Sequence, residues 1–531
     1  MMRYMLLYCL LCCLGLTAVA QVGELPRSTP QAEDVNPELL NSFYHDLTSL
    51  PGVDVHHLMV MRHGKVIGER HATPYRATDL HTLYSASKTV TALAVGLAVD
   101  DGLLTVEDKV SKHLRDKMPA VLSPALDSLT VRNVLMMAAG RTEDQRIYNS
   151  DKDWLSSWFA GEFHAVGKEF NYDSMCTHVL ATIVTRLTGK PLLQYVQERI
   201  FTPLHITQAD WELAPDSIEV GGWGLRLQTE SEAKLGQLML QEGKWNGQQL
   251  VSEQWIHEMT QRHISTSKHH DSDLPLGTRI LVFLRSIWHT IRSWFTGYNV
   301  DDYFLGYGYQ TKAIRHPRVD SFFAAGYGGQ LIYVVPDLEM VVVVNGRADN
   351  YGKELNTIYY RLIDPFIAKR KPQQLEQATA FAIQPPQGNP SHPLESRLFK
   401  GTIELEDNLL GLESVKVSAD GDHRIFTMTD KRGPLRAVAA CGQWLFTTSD
   451  ERPIYIVECS KQLIGTPRPF TSVAAYAWQG DTLAMRLDWL DGGDNRRMKI
   501  ILDGNNATVI ANDNFDPLLT DTIHGKLGTR Y

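Results

Sequence analysis

Cysteine is scarce in this sequence, with only 6 Cys among 531 residues. Three of them lie within the first twenty residues, and the rest of the chain has only Cys176, Cys441 and Cys459. Three cysteines spaced this widely cannot build the disulfide framework that is typical of small secreted domains. Cys441 and Cys459 could still pair inside one domain, or both could remain as buried free thiols.

Long runs of one kind of residue are also missing. No long run of Lys and Arg occurs, and 52 basic against 61 acidic residues give a net charge of -9, so we expect no nucleic-acid partner. No stretch of 18 uncharged apolar residues follows residue 20, which argues against a membrane-spanning helix. No repeat of fixed period is present. The composition, 43% hydrophobic and 21% charged, is typical of a globular protein of two or three domains.

The first twenty residues have the pattern of a secretory signal. Met1-Met2-Arg3 is a short positive start, an apolar stretch follows, and Ala18-Val19-Ala20 precedes Gln21 as a small-residue cleavage site. Bulky residues stand before the cysteines of this stretch and argue against a lipid anchor. We therefore expect residues 1–20 to be a signal peptide, cleaved after Ala20, and the mature protein to be soluble and exported, either periplasmic or secreted.

Composition divides the remaining chain into two bodies and a linker. The stretch 369–394 begins with Lys369-Arg370-Lys371-Pro372 and carries four more prolines, which is typical of a linker. Residues 21–368 before it form one predicted domain. Residues 395–531 after it alternate apolar and polar side chains between turn signals, as in Leu483, Met485 and Leu487, and predict an all-β domain of barrel or sandwich type.

Within 21–368, strand patterns lie at both ends of a helix-rich block that covers roughly 85–262. Two strands are predicted between Val53 and Arg70, around a turn at His63-Gly64. Further strands are predicted at Phe322–Ala325, Leu331–Val335 and Met340–Val344.

Ser85 and Lys88 are the first candidates for chemistry. Tyr84-Ser85-Ala86-Ser87-Lys88 begins a predicted helix that is apolar almost all round, and a spacing of three puts both side chains on one face. A serine hydroxyl needs a nearby base, and a lysine in a dry pocket can lose its proton and serve as that base. The pattern S-x-x-K alone is short, and it would equally suit a serine N-cap followed by a solvated lysine.

The surrounding sequence resembles the serine β-lactamase superfamily, in its class C β-lactamase-like branch. That branch includes class C β-lactamases, D-Ala-D-Ala peptidases, family VIII esterases and 6-aminohexanoate-dimer hydrolases. The resemblance covers about residues 50–365, with three motif boxes in the expected order. It is carried by the segments 83–114, 129–140, 170–206, 221–256 and 324–345.

The resemblance implies a role for each matching residue. Ser85 matches the family's nucleophile, Lys88 its partnering lysine, and Tyr172 the tyrosine of the Y-x-N box, whose oxygen relays protons to the leaving group. A neighbouring ammonium could depress the pKa of such a tyrosine. Ser174 replaces the Asn of that box, which in relatives helps to orient the lysine and the substrate amide.

The third box, K-T-G or H-x-G in relatives, corresponds here to Gly326-Tyr327-Gly328, followed by Gly329. The backbone N–H of Gly329 could pair with that of Ser85 as an oxyanion hole, although the glycines could equally mark a simple bulge. Gly326 replaces the cation that would hold a substrate carboxylate. This departure favours uncharged esters or amides, and the form of the box looks most like the 6-aminohexanoate-dimer hydrolase group.

The implied fold is an α/β (α+β) β-lactamase/transpeptidase-like domain, with an antiparallel sheet flanked by helices, plus the C-terminal all-β domain. The implied function is a serine hydrolase of the carboxylesterase or amidase type, acting on a small-molecule or peptide ester or amide through a Ser-Lys-Tyr acyl-enzyme. Two alternatives stay open. One is a D-Ala-D-Ala carboxypeptidase or class C-type β-lactamase, and the other is an inactive penicillin- or glycan-binding module.

Other chemistries have weaker signals. No G-x-S-x-G occurs, which excludes the nucleophile elbow of α/β-hydrolases. His257 and His263 are too far apart for H-E-x-x-H, and His269-His270-Asp271 suits a polar loop better than a metal site. We therefore expect neither a metal nor an organic cofactor.

An apolar and aromatic insertion, 276–297, interrupts the hydrolase-like part. Its residues 280–295 place Arg285 and Arg292 at helical spacing. This helix could touch a membrane surface or cover the catalytic cleft, but packing against its own domain is the more usual arrangement.

Overall fold

The computed structural model describes residues 23–141, 143–148, 153–266, 305–315, 318–348, 351–371, 381–450, 462–466, 468–513 and 519–529. The predicted signal peptide, the insertion 276–297 and Cys459 lie outside these residues. Export, membrane contact and the pairing of Cys441 with Cys459 therefore stay predictions. In the described part, no helix is both long and apolar enough to cross a membrane.

The first part of the chain is built on a long antiparallel sheet. The strands up to residue 348 are β1 (Val53–Arg62), β2 (Lys65–His71), β3 (His81–Thr82), β4 (Asp210–Leu213), β5 (Arg226–Leu227), β6 (Lys244–Trp245), β7 (Gln248–Gln249), β8 (Ile264–Ser265), β9 (Leu305–Tyr307), β10 (Lys312–Ile314), β11 (Ser321–Gly326), β12 (Gln330–Val335) and β13 (Met340–Ala348). The main sheet has the order β2-β1-β13-β12-β11-β10-β9-β8 among described residues. Because β1 pairs with β13, with Val60 opposite Val342, the two ends of the domain meet in one sheet. This confirms the predicted strands and their antiparallel arrangement.

Both faces of this sheet are covered, because consecutive side chains of a strand point to opposite faces. Met59 and Val343 face one core, which includes the buried helix Ser87–Asp100. Leu58 and Val344 face a second core, formed with the helix Pro37–Thr48 and the last helical segments of the domain. The predicted sheet with flanking helices is therefore confirmed.

The helical segments lie mostly between β3 and β8. The described α-helices up to residue 368 are Pro37–Thr48, Ser87–Asp100, Val110–Leu114, Pro124–Asp127, Val131–Leu135, Gln145–Tyr148, Trp154–Phe159, Ser174–Thr188, Leu192–Val196, Thr229–Leu240, Glu253–Thr260, Tyr351–Thr357 and Asp364–Ile367.

The C-terminal part is a closed β-barrel. A short helix, Glu395–Leu398, precedes its strands β14 (Gly401–Leu405), β15 (Leu412–Asp420), β16 (His423–Asp430), β17 (Gly433–Cys441), β18 (Leu445–Ser449), β19 (Gln462–Gly465), β20 (Phe470–Gln479), β21 (Thr482–Trp489), β22 (Asn495–Asp503), β23 (Asn506–Asn512) and β24 (Thr520–Thr529). A ring of strands runs β17-β16-β15-β14-β24-β23-β22-β21-β20, and a parallel pairing of β17 with β20 closes it. Of the two predicted types, barrel or sandwich, the structure has the barrel.

The barrel is joined to the first part by shared secondary structure. Strand β19, which lies outside the ring of barrel strands, pairs with β4, which gives an antiparallel sheet of order β19-β4-β5-β3. The described residues of the predicted linker also make contacts on both sides: Ile383 N–H donates to Thr73 O, and Asn389 exchanges two backbone hydrogen bonds with Trp478. This stretch is therefore packed, although the exact domain boundaries stay a prediction.

Candidate active site

The candidate nucleophile lies at a change of helix type. Tyr84–Ala86 forms one 3₁₀ turn, and the α-helix Ser87–Asp100 follows it directly. The sequence predicted a single helix that begins at Tyr84, so the structure adds the tighter first turn. Tyr84 has a φ of 43°, a left-handed conformation that is uncommon for a residue with a Cβ. Ser85 is therefore presented on a sharply bent backbone.

Lys88 is buried and makes three hydrogen bonds with its ammonium group. Its Nζ lies 3.0 Å from Ser85 Oγ, 3.1 Å from Ser174 Oγ and 2.7 Å from the carbonyl oxygen of Gly222. The structure thus brings together Ser85 and Lys88, as the sequence predicted. Ser174 accepts from the lysine directly, so the hydroxyl that replaces the family's Asn still contacts Lys88.

The environment of Lys88 favours its neutral form. Burial lowers the pKa of Lys88 from 10.5 to about 7, and the negative charges of Glu143 and Asp173 offset part of that effect. An amine with a pKa near neutral pH can accept the proton of a serine hydroxyl that is within hydrogen-bond distance.

Tyr172 is placed beside this pair. The ammonium of Lys88 lies 4.9 Å from the centroid of the Tyr172 ring, so the third predicted catalytic side chain contacts the second. The residue after it, Asp173, caps the helix Ser174–Thr188 by accepting from Met175 N–H at 2.9 Å, and it also accepts from Trp158 Nε1 at 2.7 Å. This cap places Ser174 on the first turn of the helix, where its hydroxyl meets Lys88.

The third box forms the turn between β11 and β12. Gly326 is the last residue of β11, and Gly328 and Gly329 have φ values of 77° and 98°. The buried Gln330 holds this turn, because its side-chain amide donates to Tyr327 O and Gly346 O and accepts from Gly346 N–H. The turn lies next to the nucleophile, because Gly326 approaches Leu83 and the ring of Tyr327 contacts that of Tyr84. The oxyanion role of Gly329 stays a prediction.

Gly326 has no room for a side chain. A Cβ there would lie 2.2 Å from the carbonyl oxygen of Leu83, two residues before Ser85. The missing cation of the third box therefore has a packing reason. Beside it, Tyr327 is 42% exposed, and its ring centroid lies 6.0 Å from that of Tyr84. The third box therefore places an aromatic ring, and no charge, in edge-to-face contact with the ring of the residue before the nucleophile.

Several residues at the site were missed by sequence reasoning. Gly222 supplies a carbonyl to Lys88, and Gln330 holds the turn of the third box. Glu143 accepts from the backbone N–H of Ser174 at 3.1 Å and from Tyr148 Oη at 3.0 Å. Gly222 and Gln330 lie within or beside segments that resemble the family, but no pattern in the sequence singles out Glu143.

In the described part of the chain, no three His, Cys, Asp or Glu side chains group together as they would around a metal ion. The densest group of histidines forms hydrogen bonds between its own ring nitrogens instead. His56 pairs with His81 at an N···N distance of 3.0 Å, and His57 pairs with His71 at 2.8 Å.

Several curated proteins resemble this chain in sequence, and two of them illustrate the similarity. The 6-aminohexanoate-dimer hydrolase of Paenarthrobacter ureafaciens is 24% identical over 262 residues, 44% of this chain and 63% of that protein. Protein flp of Staphylococcus aureus (strain N315) is 23% identical over 205 residues, 35% of this chain and 40% of its own. The chain thus spans less than two thirds of either relative.

Among solved structures, the octameric penicillin-binding protein homologue from Pyrococcus abyssi aligns with a TM-score of 0.46 and 14% identity, over 92% of this chain and 99% of that one. The profile of the Beta-lactamase family matches residues 45–362. That range is more than half of the chain and contains Ser85, Lys88, Tyr172 and the third box. The chain therefore belongs to the Beta-lactamase family.

Proposed function

We propose that the protein is an exported serine hydrolase that cleaves uncharged esters or amides through an acyl-enzyme on Ser85. The observation that carries the proposal is the buried Lys88, whose Nζ lies 3.0 Å from Ser85 Oγ and whose pKa is lowered to about 7. Membership of the Beta-lactamase family supports an enzyme of this kind. Export rests on the first twenty residues alone.

In the proposed acylation step, Ser85 Oγ attacks the substrate carbonyl while its proton passes to neutral Lys88. The new O–C bond forms as the carbonyl electrons move onto oxygen, and backbone N–H groups of Ser85 and Gly329 would stabilise that oxyanion. When the carbonyl reforms, the bond to the leaving group breaks, and Tyr172 relays a proton to it. Water then repeats the sequence on the acyl-enzyme, which releases the acid and restores Ser85.

The surroundings of Ser85 support a neutral acyl group. Gly326 stands where relatives carry a cation, and the carbonyl of Leu83 excludes a side chain from that place. The exposed ring of Tyr327 offers apolar surface instead. Similarity to a protein called a 6-aminohexanoate-dimer hydrolase also supports cleavage of an amide.

Intact-mass spectrometry tests the proposal. Wild type and Ser85→Ala are each exposed to a fluorophosphonate, p-nitrophenyl butyrate and penicillin G. We expect wild type to form a stable fluorophosphonate adduct and to turn over the ester rapidly. Ser85→Ala should do neither, and neither protein should form a lasting penicillin adduct. Ser128→Ala is the control, because it removes a serine hydroxyl that bonds Ala125 O and no residue of the catalytic turn, and it should still be labelled.

The other outcomes decide between the alternatives. A lasting penicillin adduct on Ser85 would favour a peptidase or β-lactamase of cell-wall type. Labelling retained in Ser85→Ala would refute the assigned nucleophile, and no adduct at all on wild type would favour a binding module.

A further inference from the structure

A loop of the C-terminal barrel reaches the residue before the nucleophile. Tyr84 Oη donates a hydrogen bond of 2.6 Å to Asp494 Oδ1. Asp494 lies in the turn between β21 and β22, and both side chains are buried, with Tyr84 5% and Asp494 2% exposed. The bond therefore joins the barrel to the catalytic turn inside the protein, where water does not compete for either partner.

The backbone of Tyr84 gives this bond a consequence for Ser85. Tyr84 has a φ of 43°, a conformation that a residue with a side chain keeps only when its surroundings hold it. Ser85 follows directly, so a rotation at Tyr84 would move Ser85 Oγ relative to Lys88 Nζ. Anchoring of the Tyr84 side chain thus bears on the 3.0 Å contact between those two atoms.

The loop that carries Asp494 is itself held firmly. Gly492 and Gly493 donate to Trp489 O, and Trp489 N–H donates to Asp494 O, which makes a tight turn. A Cβ on Gly493 would lie 2.7 Å from the ring of His81, so only glycine allows the loop to come this close to β3. Leu490 packs in a small apolar cluster with Ala72 and Tyr75 of the first part.

A second connection runs through the four-stranded antiparallel sheet. Strand β19, which lies in the C-terminal part outside the barrel ring, pairs with β4, β4 with β5, and β5 with β3, which ends three residues before Ser85. The buried Arg226 of β5 is paired with Asp210 and Glu212 of β4, and Arg468 of the barrel bonds Asp210 at 2.9 Å. The C-terminal part is therefore connected in two ways, through Asp494 and through β19, to the strand and turn that present the nucleophile.

We propose that the barrel is a working part of the catalytic centre and that Asp494 is a positioning residue, which holds Tyr84 and through it aims Ser85 at Lys88. This inference rests on the proposed function, because it concerns the rate at which Ser85 is acylated.

The test compares full-length variants in a double-mutant cycle on kcat with p-nitrophenyl butyrate. Tyr84→Phe removes the donor, Asp494→Ala removes the acceptor, and the double variant removes both. We expect each single variant to lower kcat about tenfold with KM changed less than twofold, since small displacements of reacting groups are costly. The double variant should be no slower than the singles, because all three lose the same bond. Asp494→Asn keeps an acceptor oxygen and should retain at least a third of the wild-type kcat.

Arg497→Gln is the matched control. It removes an ion pair between the barrel and Asp54 of the first part that has no contact with Tyr84. It should leave kcat within twofold of wild type while lowering the melting temperature. A merely structural role for Asp494 would lower the melting temperature of its variants without lowering kcat in the folded protein.

Three results would overturn the inference: Tyr84→Phe and folded Asp494→Ala both within twofold of wild type, additive losses in the double variant, or an equal loss of kcat in Arg497→Gln. If Asp494→Ala does not fold, Tyr84→Phe and Asp494→Asn decide, and an unchanged kcat in Tyr84→Phe refutes it. Absence of Ser85 labelling in wild type would instead refute the proposed function, so the two failures are distinguishable.

Discussion

Lys88 combines two properties at the scale of single residues: it is buried, and each of its three polar contacts is with a neutral oxygen. Ser85 Oγ, Ser174 Oγ and Gly222 O accept hydrogen bonds from its Nζ. Because no carboxylate of the described residues forms a hydrogen bond with the amine, burial dominates the pKa of Lys88 and lowers it to about 7. The pKa of Lys88 is thus close to neutral pH, so the lysine of the serine–lysine pair can gain or lose its proton there.

The pH dependence of acylation follows from that pKa. Lys88 can accept the proton of Ser85 only when it is neutral, so the acylation rate should rise about tenfold per pH unit below pH 7 and level off above it. Labelling by a fluorophosphonate, followed between pH 5 and 9, measures this. Lys88→Arg is the control, since a guanidinium stays charged over this range and should label slowly at every pH. A wild-type rate that does not change with pH would contradict the assignment of Lys88 as base.

Restoring the family's cation at residue 326 should fail. Even the Cβ of Gly326→Ala would lie 2.2 Å from Leu83 O, and Gly326→Lys adds a longer chain at the same place. We expect both variants to lose Ser85 labelling, because Leu83 must move and Ser85 is two residues away. Neither should gain a penicillin adduct in the mass spectrum. A penicillin adduct on Gly326→Lys would contradict this account of the packing.

At the scale of elements, the turn between β11 and β12 is held from inside. Gln330 donates hydrogen bonds to the backbone of both Tyr327 and Gly346. The two glycines of the turn that have a left-handed φ, Gly328 and Gly329, differ in the space around them. Nothing lies closer than 3.5 Å to a Cβ on Gly328, whereas a Cβ on Gly329 would lie 2.5 Å from Glu354 Oε1.

This difference predicts unequal effects of two similar substitutions. Gly328→Ala should cost about 1 kcal/mol of stability, from its left-handed φ alone. Gly329→Ala is strained by its own left-handed φ of 98° and must also displace Glu354, so it should be less stable and should acylate more slowly if Gly329 N–H serves the oxyanion. Urea unfolding and the rate of fluorophosphonate labelling measure the two effects. Equal stability of the two variants would contradict the predicted contact with Glu354.

At the scale of the whole molecule, charged pairs hold the barrel against the first part. Arg486 and Arg497 stand directly opposite each other on β21 and β22, an arrangement in which like charges repel. Asp54 of β1 lies between them and pairs with Arg486 at 2.9 Å and with Arg497. Burial opposes the ionisation of Asp54, but the arginines outweigh it and the pKa of Asp54 is lowered.

Asp54→Asn should therefore weaken the whole protein at neutral pH, by about 2 kcal/mol, since it leaves Arg497 facing Arg486 without the shared carboxylate, while Arg486 keeps its pair with Asp488. A carboxylate whose pKa is lowered on folding stabilises above its unfolded pKa and loses this contribution at lower pH, so the difference from wild type should shrink below about pH 4. Urea unfolding at pH 7 and pH 3.5 measures this. Asp407→Asn, at an exposed site, is the control and should match wild type, and a difference that does not depend on pH would contradict the ion pairing.

The sequence alone determined the local and sequential features of this protein. The helix that follows Ser85, the strands at both ends of the first part and the β-rich C-terminal part all follow from short-range periodicity. The order of the three boxes indicated the family, because motif spacing is a property of the chain itself. Burial of Lys88 was also predictable, since a helix that is apolar all round has no face for solvent.

Only the tertiary structure decided what surrounds those residues. Tyr84 and Asp494 are 410 residues apart in the chain, and no local pattern relates a turn of a barrel to the residue before a nucleophile. The contacts of Lys88 with Gly222 O and Ser174 Oγ, and the lack of room at Gly326, likewise depend on where distant backbone segments meet. Periodicity specifies which face of an element is buried, but packing alone specifies which atoms it meets there.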